Sequence, residues 1–121
     1  MRSATQTYSN VSRQTASPRD LEANLLLQAA AKLQTVHDAW DTHRSQLDDA
    51  LLYNRKLWSV FLSDATDGNN PLPRDVRQNV ANLGLFVMNQ TVVVMSDPRP
   101  EQLDSLISIN REIAAGLLAR G

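Results

Sequence analysis

Apolar residues recur along most of this chain at intervals of three and four, and a few short clusters of breakers interrupt them. Ser17-Pro18 followed by Asp20 reads as an N-cap serine, a proline at the first helical position and an acid at the third. A helix from about Pro18 to Trp40 follows, with Leu25, Ala29, Leu33, Val36 and Trp40 on one face. A second helix is marked by Leu47, Leu51, Asn54, Trp58, Phe61 and Ala65, after a boundary placed around Asp41 to Ser45. The turn cluster Gly68-Asn69-Asn70-Pro71-Leu72-Pro73 ends that helix, and Pro73 starts a third. Asp97-Pro98-Arg99-Pro100 repeats the device, with Glu101 and Asp104 acidic in the first turn of a fourth helix. Leu103, Leu106, Asn110, Ile113 and Leu117 give that helix its stripe. These are helical periods, and only Thr91-Val92-Val93-Val94 favours strand locally. The pattern predicts an all-α fold, a small antiparallel bundle of four main helices spanning residues 17–121. Residues 1–16 are polar apart from Tyr8 and Val11, and read as a flexible arm or a short docked N-terminal helix.

The third helix carries two apolar stripes. Val76, Val80, Leu83, Val87 and Val94 form one; Ala81, Leu85, Met88, Val92 and Met95 form the other. Asn82 and Asn89 lie on one flank between them, Gly84 and Thr91 on the other. A helix with two stripes must bury both. Either it is a central helix packed on two sides by its own chain, or its second stripe receives a partner helix. Methionine suits the second reading, because a flexible, polarizable side chain adapts to varied apolar surfaces. Tyr53 and Val60, apolar positions outside the main stripe of the second helix, are the expected wall of such a groove. Asn54 and Asn110 each interrupt an apolar stripe, and are expected to be buried, hydrogen-bonded amides that fix helix register.

Composition narrows the function classes. With 121 residues the chain is one domain, long enough to bury a core without a staple. It has no cysteine, which excludes disulfides, thiolate metal sites and a cysteine nucleophile. Twelve basic and thirteen acidic residues leave a net charge of −1, a poor balance for neutralising phosphates. Arg55, Lys56, Arg74 and Arg77 are a local concentration of base without interleaved aromatic stacking groups, so direct nucleic-acid binding is disfavoured. The opening Met1-Arg2-Ser3-Ala4-Thr5-Gln6-Thr7 lacks the apolar core of a secretory signal. The longest apolar runs, Leu85 to Met88 and Val92 to Met95, are far short of a membrane span. A cytoplasmic protein without membrane insertion is expected. His37 and His43 are six apart, not the spacing that places two imidazoles on one helical face. There is no phosphate-binding glycine loop, G-x-S-x-G or H-E-x-x-H. No enzyme, metal or cofactor is expected.

A longer series of matches adds to this. Tyr8-Ser9-Asn10-Val11, Thr15-Ala16-Ser17-Pro18-Arg19-Asp20-Leu21-Glu22-Ala23 and Tyr53-Asn54-Arg55-Lys56-Leu57-Trp58 stand in order with Asn70-Pro71-Leu72-Pro73 and Arg77-Gln78-Asn79-Val80-Ala81-Asn82-Leu83. Ile109-Asn110-Arg111-Glu112-Ile113-Ala114-Ala115-Gly116-Leu117 completes the series. Together they resemble the FlaF family, small flagellar biosynthesis regulators of alphaproteobacteria. The resemblance implies a cytoplasmic factor that binds flagellin, supports its secretion and couples its synthesis to flagellum assembly. The alternative it leaves is post-transcriptional control of flagellin through FlbT and the flagellin mRNA, without direct flagellin binding. Flagellin is therefore the expected partner, held as an amphipathic terminal segment in the apolar groove. FlbT is a second expected partner. A homodimer, with the Met88 stripe buried across a two-fold axis, is a third arrangement.

Overall fold

The computed structural model describes residues 17–119, and the proposed arm at residues 1–16 lies outside them. Among the described residues the structure is all-α, a small bundle of four main helices. Helix α1 is Pro18–Asp38, and a single turn, α2, covers Trp40–His43. Helices α3, α4 and α5 are Leu47–Thr66, Arg74–Ser96 and Asp104–Leu118. Thr91 to Val94 is helical, so the β-branched run yields to its context.

Local chemistry sets the boundaries. Ser17 accepts from the Asp20 backbone N–H at 3.1 Å, and its own N–H donates to Asp20 Oδ2 at 3.4 Å. This closes a capping box with Pro18 at the first helical position. The first helix stops at Asp38, short of Trp40, because Ala39 leaves helical geometry at φ −130° and ψ 51°. The expected break at Asp41 to Ser45 is instead α2 followed by a 3-10 turn over Arg44–Gln46. In the α3–α4 turn the Asp67 and Asn70 side chains accept from the backbone N–H groups of Asn69 and Leu72. Asn70 also donates to the Asp64 carbonyl, closing the end of α3. A 3-10 turn over Pro100–Leu103 separates the second proline cluster from α5.

Helices α1 and α3 each pack on two neighbours. Ala23, Leu26, Ala29, Ala30, Leu33 and Val36 are all buried along one broad face of α1. Helix α1 packs most extensively on α5 and also on α3, while α4 packs chiefly on α3. Three of the six buried residues are alanine, so neighbouring backbones can approach closely on two sides. The α3–α4 contact is close at Gly84, where an added Cβ would lie 3.2 Å from Leu62 Cδ1 and the leucine would have to shift slightly.

The α1–α5 joint is held at one end by His37. Its Nδ1 lies 2.9 Å from Asp38 Oδ1 and its Nε2 lies 2.9 Å from Asp104 Oδ1. The hydrogen bond to Asp38, followed by the pull of Asp104, raises the His37 pKa above its ordinary value of 6.5. A raised folded-state pKa contributes stability that is fully present below the unfolded value and is lost as pH rises through the folded one. Urea midpoints should therefore fall as pH rises from about 6 to 8, and His37→Gln should flatten that slope.

Candidate functional site

Two groups of residues singled out by the sequence form distinct places in the fold. Asn54 and Asn110, each interrupting an apolar stripe, are fully buried and meet each other. Trp58 Nε1 donates to Asn110 Oδ1 at 2.8 Å. Asn110 Nδ2 donates to Asn54 Oδ1 at 2.7 Å and to the Leu26 carbonyl at 3.4 Å. The orientation of both amides follows from the indole, which can only donate. It requires Asn110 Oδ1, which leaves Asn110 Nδ2 to find an acceptor, and that acceptor is Asn54 Oδ1. Asn54 Nδ2 is then buried without a partner among the described residues. Trp58 meets Phe61 edge to face, with ring centroids 5.6 Å apart.

The second group lies on α4. Its buried residues are Gly84, Val87, Thr91 and Val94. Gly84 and Thr91 lie on a flank between the two stripes of the sequence pattern, so the inward face is turned toward that flank. A glycine admits α3 most closely, and the Thr91 hydroxyl is satisfied within the helix by donating to the Val87 carbonyl at 2.7 Å. Val76, Val80 and Leu83 of the first stripe are only half-buried.

The second stripe divides. Ala81 and Met88 are half-buried, and Met88 packs against the core. Leu85, Val92 and Met95 are 55%, 61% and 54% exposed. The helices with two substantial neighbours are α1 and α3, whereas this one packs chiefly on α3. Beside Met95 and Thr91 lies a shallow cleft of about 40 Å³ against α3, lined by Asp48, Leu51, Leu52 and Arg55. Leu52 is itself exposed and continues the apolar surface across the cleft.

Tyr53 and Val60 are not the wall of this groove. Tyr53 donates from its hydroxyl to Gln28 Oε1 at 3.0 Å, and the Lys32 ammonium lies 5.0 Å from its ring, so it faces α1. Val60, seven residues on, shares that flank and is 57% exposed. Leu52 takes their place because it stands on the opposite flank of α3. An apolar position off the main stripe is visible in sequence, but periodicity does not say which neighbour lies on which side.

The remaining polar groups are dispersed. His37 is engaged by Asp38 and Asp104, and His43 lies beside the Thr42 hydroxyl. Arg77 donates from Nη1 to the Asp67 carbonyl, while Arg55, Lys56 and Arg74 are exposed. No group of three or more potential metal ligands occurs among the described residues. Nor, among them, is any helix long and apolar enough to cross a membrane. What the exposed half of α4 can do is bury apolar surface against another chain.

Residues 4–117 match the family model described as flagellar protein FlaF, nearly the whole chain. The chain belongs to the FlaF family. No curated protein and no solved structure matches it. Membership of the FlaF family makes it a flagellar protein, and the matched span takes in both the amide cluster and all of α4.

The amide chain sets an order of stability effects. Asn110→Leu strands the Trp58 N–H and Asn54 Oδ1 and should cost about 3 kcal/mol or more. Asn54→Leu removes an unpartnered donor along with one acceptor, and should cost about 1 kcal/mol or less. Urea unfolding of the two variants measures the difference.

Proposed function

We propose that this FlaF-family chain is a cytoplasmic flagellin-binding factor that supports flagellin secretion and couples flagellin synthesis to flagellum assembly. One observation carries the reading. Leu85, Val92 and Met95 stand exposed along the helix packed mainly on one neighbour, with Leu52 beside them. A contiguous apolar helix face of this kind is characteristic of a surface that binds an amphipathic helix. A terminal segment of flagellin, held unfolded before assembly, would bury its apolar stripe there and order as a helix. Met88 and Met95 allow the surface to adapt to the segment it receives. Binding of this type needs no catalytic group. Control of flagellin through FlbT would reach the same regulatory end without this contact, and the two readings separate on whether flagellin itself binds.

The test is calorimetry of purified flagellin, and of forms lacking either terminus, against the wild-type chain and its Leu85→Asp and Val92→Asp variants. Both positions are exposed, so circular dichroism should show unchanged folding. Each substitution should weaken flagellin binding by at least about tenfold, or about 1.4 kcal/mol. Absence of any heat with full-length wild-type flagellin would remove the proposal and leave regulation through FlbT.

A further inference from the structure

From Gln78 to Ser96 helix α4 has no Asp, Glu, Lys or Arg, a run of 19 residues. The outward half of this run is ordered. At about 100° per residue, Asn82, Asn89 and Ser96 form the outermost line of the helix, opposite the buried Gly84, Val87, Thr91 and Val94. Leu85 and Val92 flank that line on the side of α3, and Phe86 and Val93 flank it on the other; all four are exposed. Asn89 lies at the middle, and its amide bonds to no other described residue.

These positions are balanced about Asn89. Consider a second copy of α4 laid antiparallel on the first, related by a two-fold axis through Asn89. Asn82 of one copy then stands beside Ser96 of the other, each seven residues from the axis. Leu85 stands beside Val92, and Phe86 beside Val93, to within one residue step. Each apolar row meets its own counterpart, because an axis perpendicular to both helices reverses their direction but keeps their sides. Asn89 meets itself. A primary amide has both a donor and an acceptor, so two of them satisfy each other by reciprocal Nδ2–H to Oδ1 bonds. A single polar residue of this kind between apolar rows specifies oligomer state and register.

Charge separates a second copy from a foreign helix. A face made for a different protein can carry charges that its partner complements, and it gains specificity and association rate from them. At a two-fold axis a charged side chain faces its like and is repelled, so a self-recognising face is best left uncharged. Helix α4 is uncharged over all of residues 82–96, the length that the pairing covers. Sliding one copy by seven residues in either direction sets Asp75 beside Ser96 or leaves residues 82–88 with no helix opposite them. The antiparallel arrangement also places the positive end of each helix dipole beside the negative end of the other. The last turn of α4 has no basic residue of its own to do this.

We infer that α4 pairs antiparallel with α4 of a second copy of this chain, across a two-fold axis at Asn89, with the amide line at the centre and an apolar row on each side. Area sets the strength of this pairing. A shared length of about 22 Å and a helix face about 10 Å wide cover about 220 Å² per copy, against about 800 Å² for a stable interface. The dimer is therefore weak and reversible. Its face is the one proposed above for flagellin, so the two occupants exclude each other, and a rise in chain concentration works against flagellin capture.

The chain has no cysteine, so single cysteines can report the register. With helix axes about 8–10 Å apart, facing Cα atoms come to about 4–6 Å, within reach of a disulfide. Asn89→Cys should link to itself on air oxidation and run as a dimer on a non-reducing gel. Asn82→Cys and Ser96→Cys each lie about 21 Å from their own copy and should self-link at least about tenfold more slowly. An equal mixture of those two should link as readily as Asn89→Cys. Sedimentation equilibrium of the wild-type chain should give a dissociation constant between about 1 μM and about 1 mM. Asn89→Asp and Asn89→Lys should each weaken the dimer by at least about tenfold, and an equal mixture of the two should restore it. Position 89 is exposed, so circular dichroism should show unchanged folding. A wild-type chain that stays monomeric at about 1 mM, a dimer indifferent to Asn89→Asp, or equal linking rates for the three cysteine variants would overturn the inference. None of these measurements contains flagellin, so they can fail while the flagellin reading stands, and the reverse.

Discussion

An indole N–H can donate a hydrogen bond but cannot accept one, and burying it obliges the fold to supply an oxygen. Trp58 is almost wholly buried in this bundle, and the oxygen comes from Asn110, 52 residues along the chain. That bond orients the Asn110 amide, which in turn reaches Asn54 and the Leu26 carbonyl. Three helices are thereby joined at one height. A slide of α5 by a single residue, about 1.5 Å, would break bonds of 2.7 and 2.8 Å. Apolar packing alone has no such sensitivity, since leucines on neighbouring helices can interdigitate in more than one register.

Helix α4 takes no part in this network, and its position follows from that. It is held to α3 by the glycine contact at Leu62 and by a narrow line of buried residues ending at Val94. The small residues of α1 let α5 and α3 approach it along one broad face, and α4 packs chiefly on α3. Its outward half stays uncovered although Leu85, Phe86, Val92 and Val93 lie on it. In water such exposure carries a free-energy cost. A flagellar protein of the FlaF family gains from that cost if the uncovered helix is where a partner segment becomes ordered.

The buried amides and the groove wall illustrate different kinds of legibility. Asn54 and Asn110 could be identified as buried amides because each occupies a position that the 3.6-residue period assigns to the core. Periodicity is a property of one helix, and burial of that face follows with little further information. The groove wall was a statement about two helices. Tyr53 and Leu52 are adjacent in sequence and both lie off the α3 stripe, yet one bonds to α1 and the other borders α4. Their difference is the order in which helices surround α3, and no residue of α3 encodes it alone. The close packing of α1 on both α5 and α3 is obscured in the sequence for a related reason. Ala23, Ala29 and Ala30 are weak hydrophobic signals, and their importance is the close approach they permit to neighbours.

By itself the sequence determined an uncysteined, nearly neutral chain of helices, the capping box at Ser17, the two proline turns, the buried amides and the second apolar stripe of α4. All of these are local, fixed by backbone propensity, by side-chain donors and acceptors, or by spacing along one helix. Tertiary structure decided which helices pack on two neighbours, which face of α4 turns inward and what borders the stripe that remains outside. Those outcomes depend on summed contacts between distant segments, where a missing side chain at Gly84 or a small one at Ala30 outweighs the hydrophobicity of the residues around it. The uncharged run from Gln78 to Ser96 is written in the sequence. Only the fold shows that half of it faces outward, because burial is a property of what packs beside a helix.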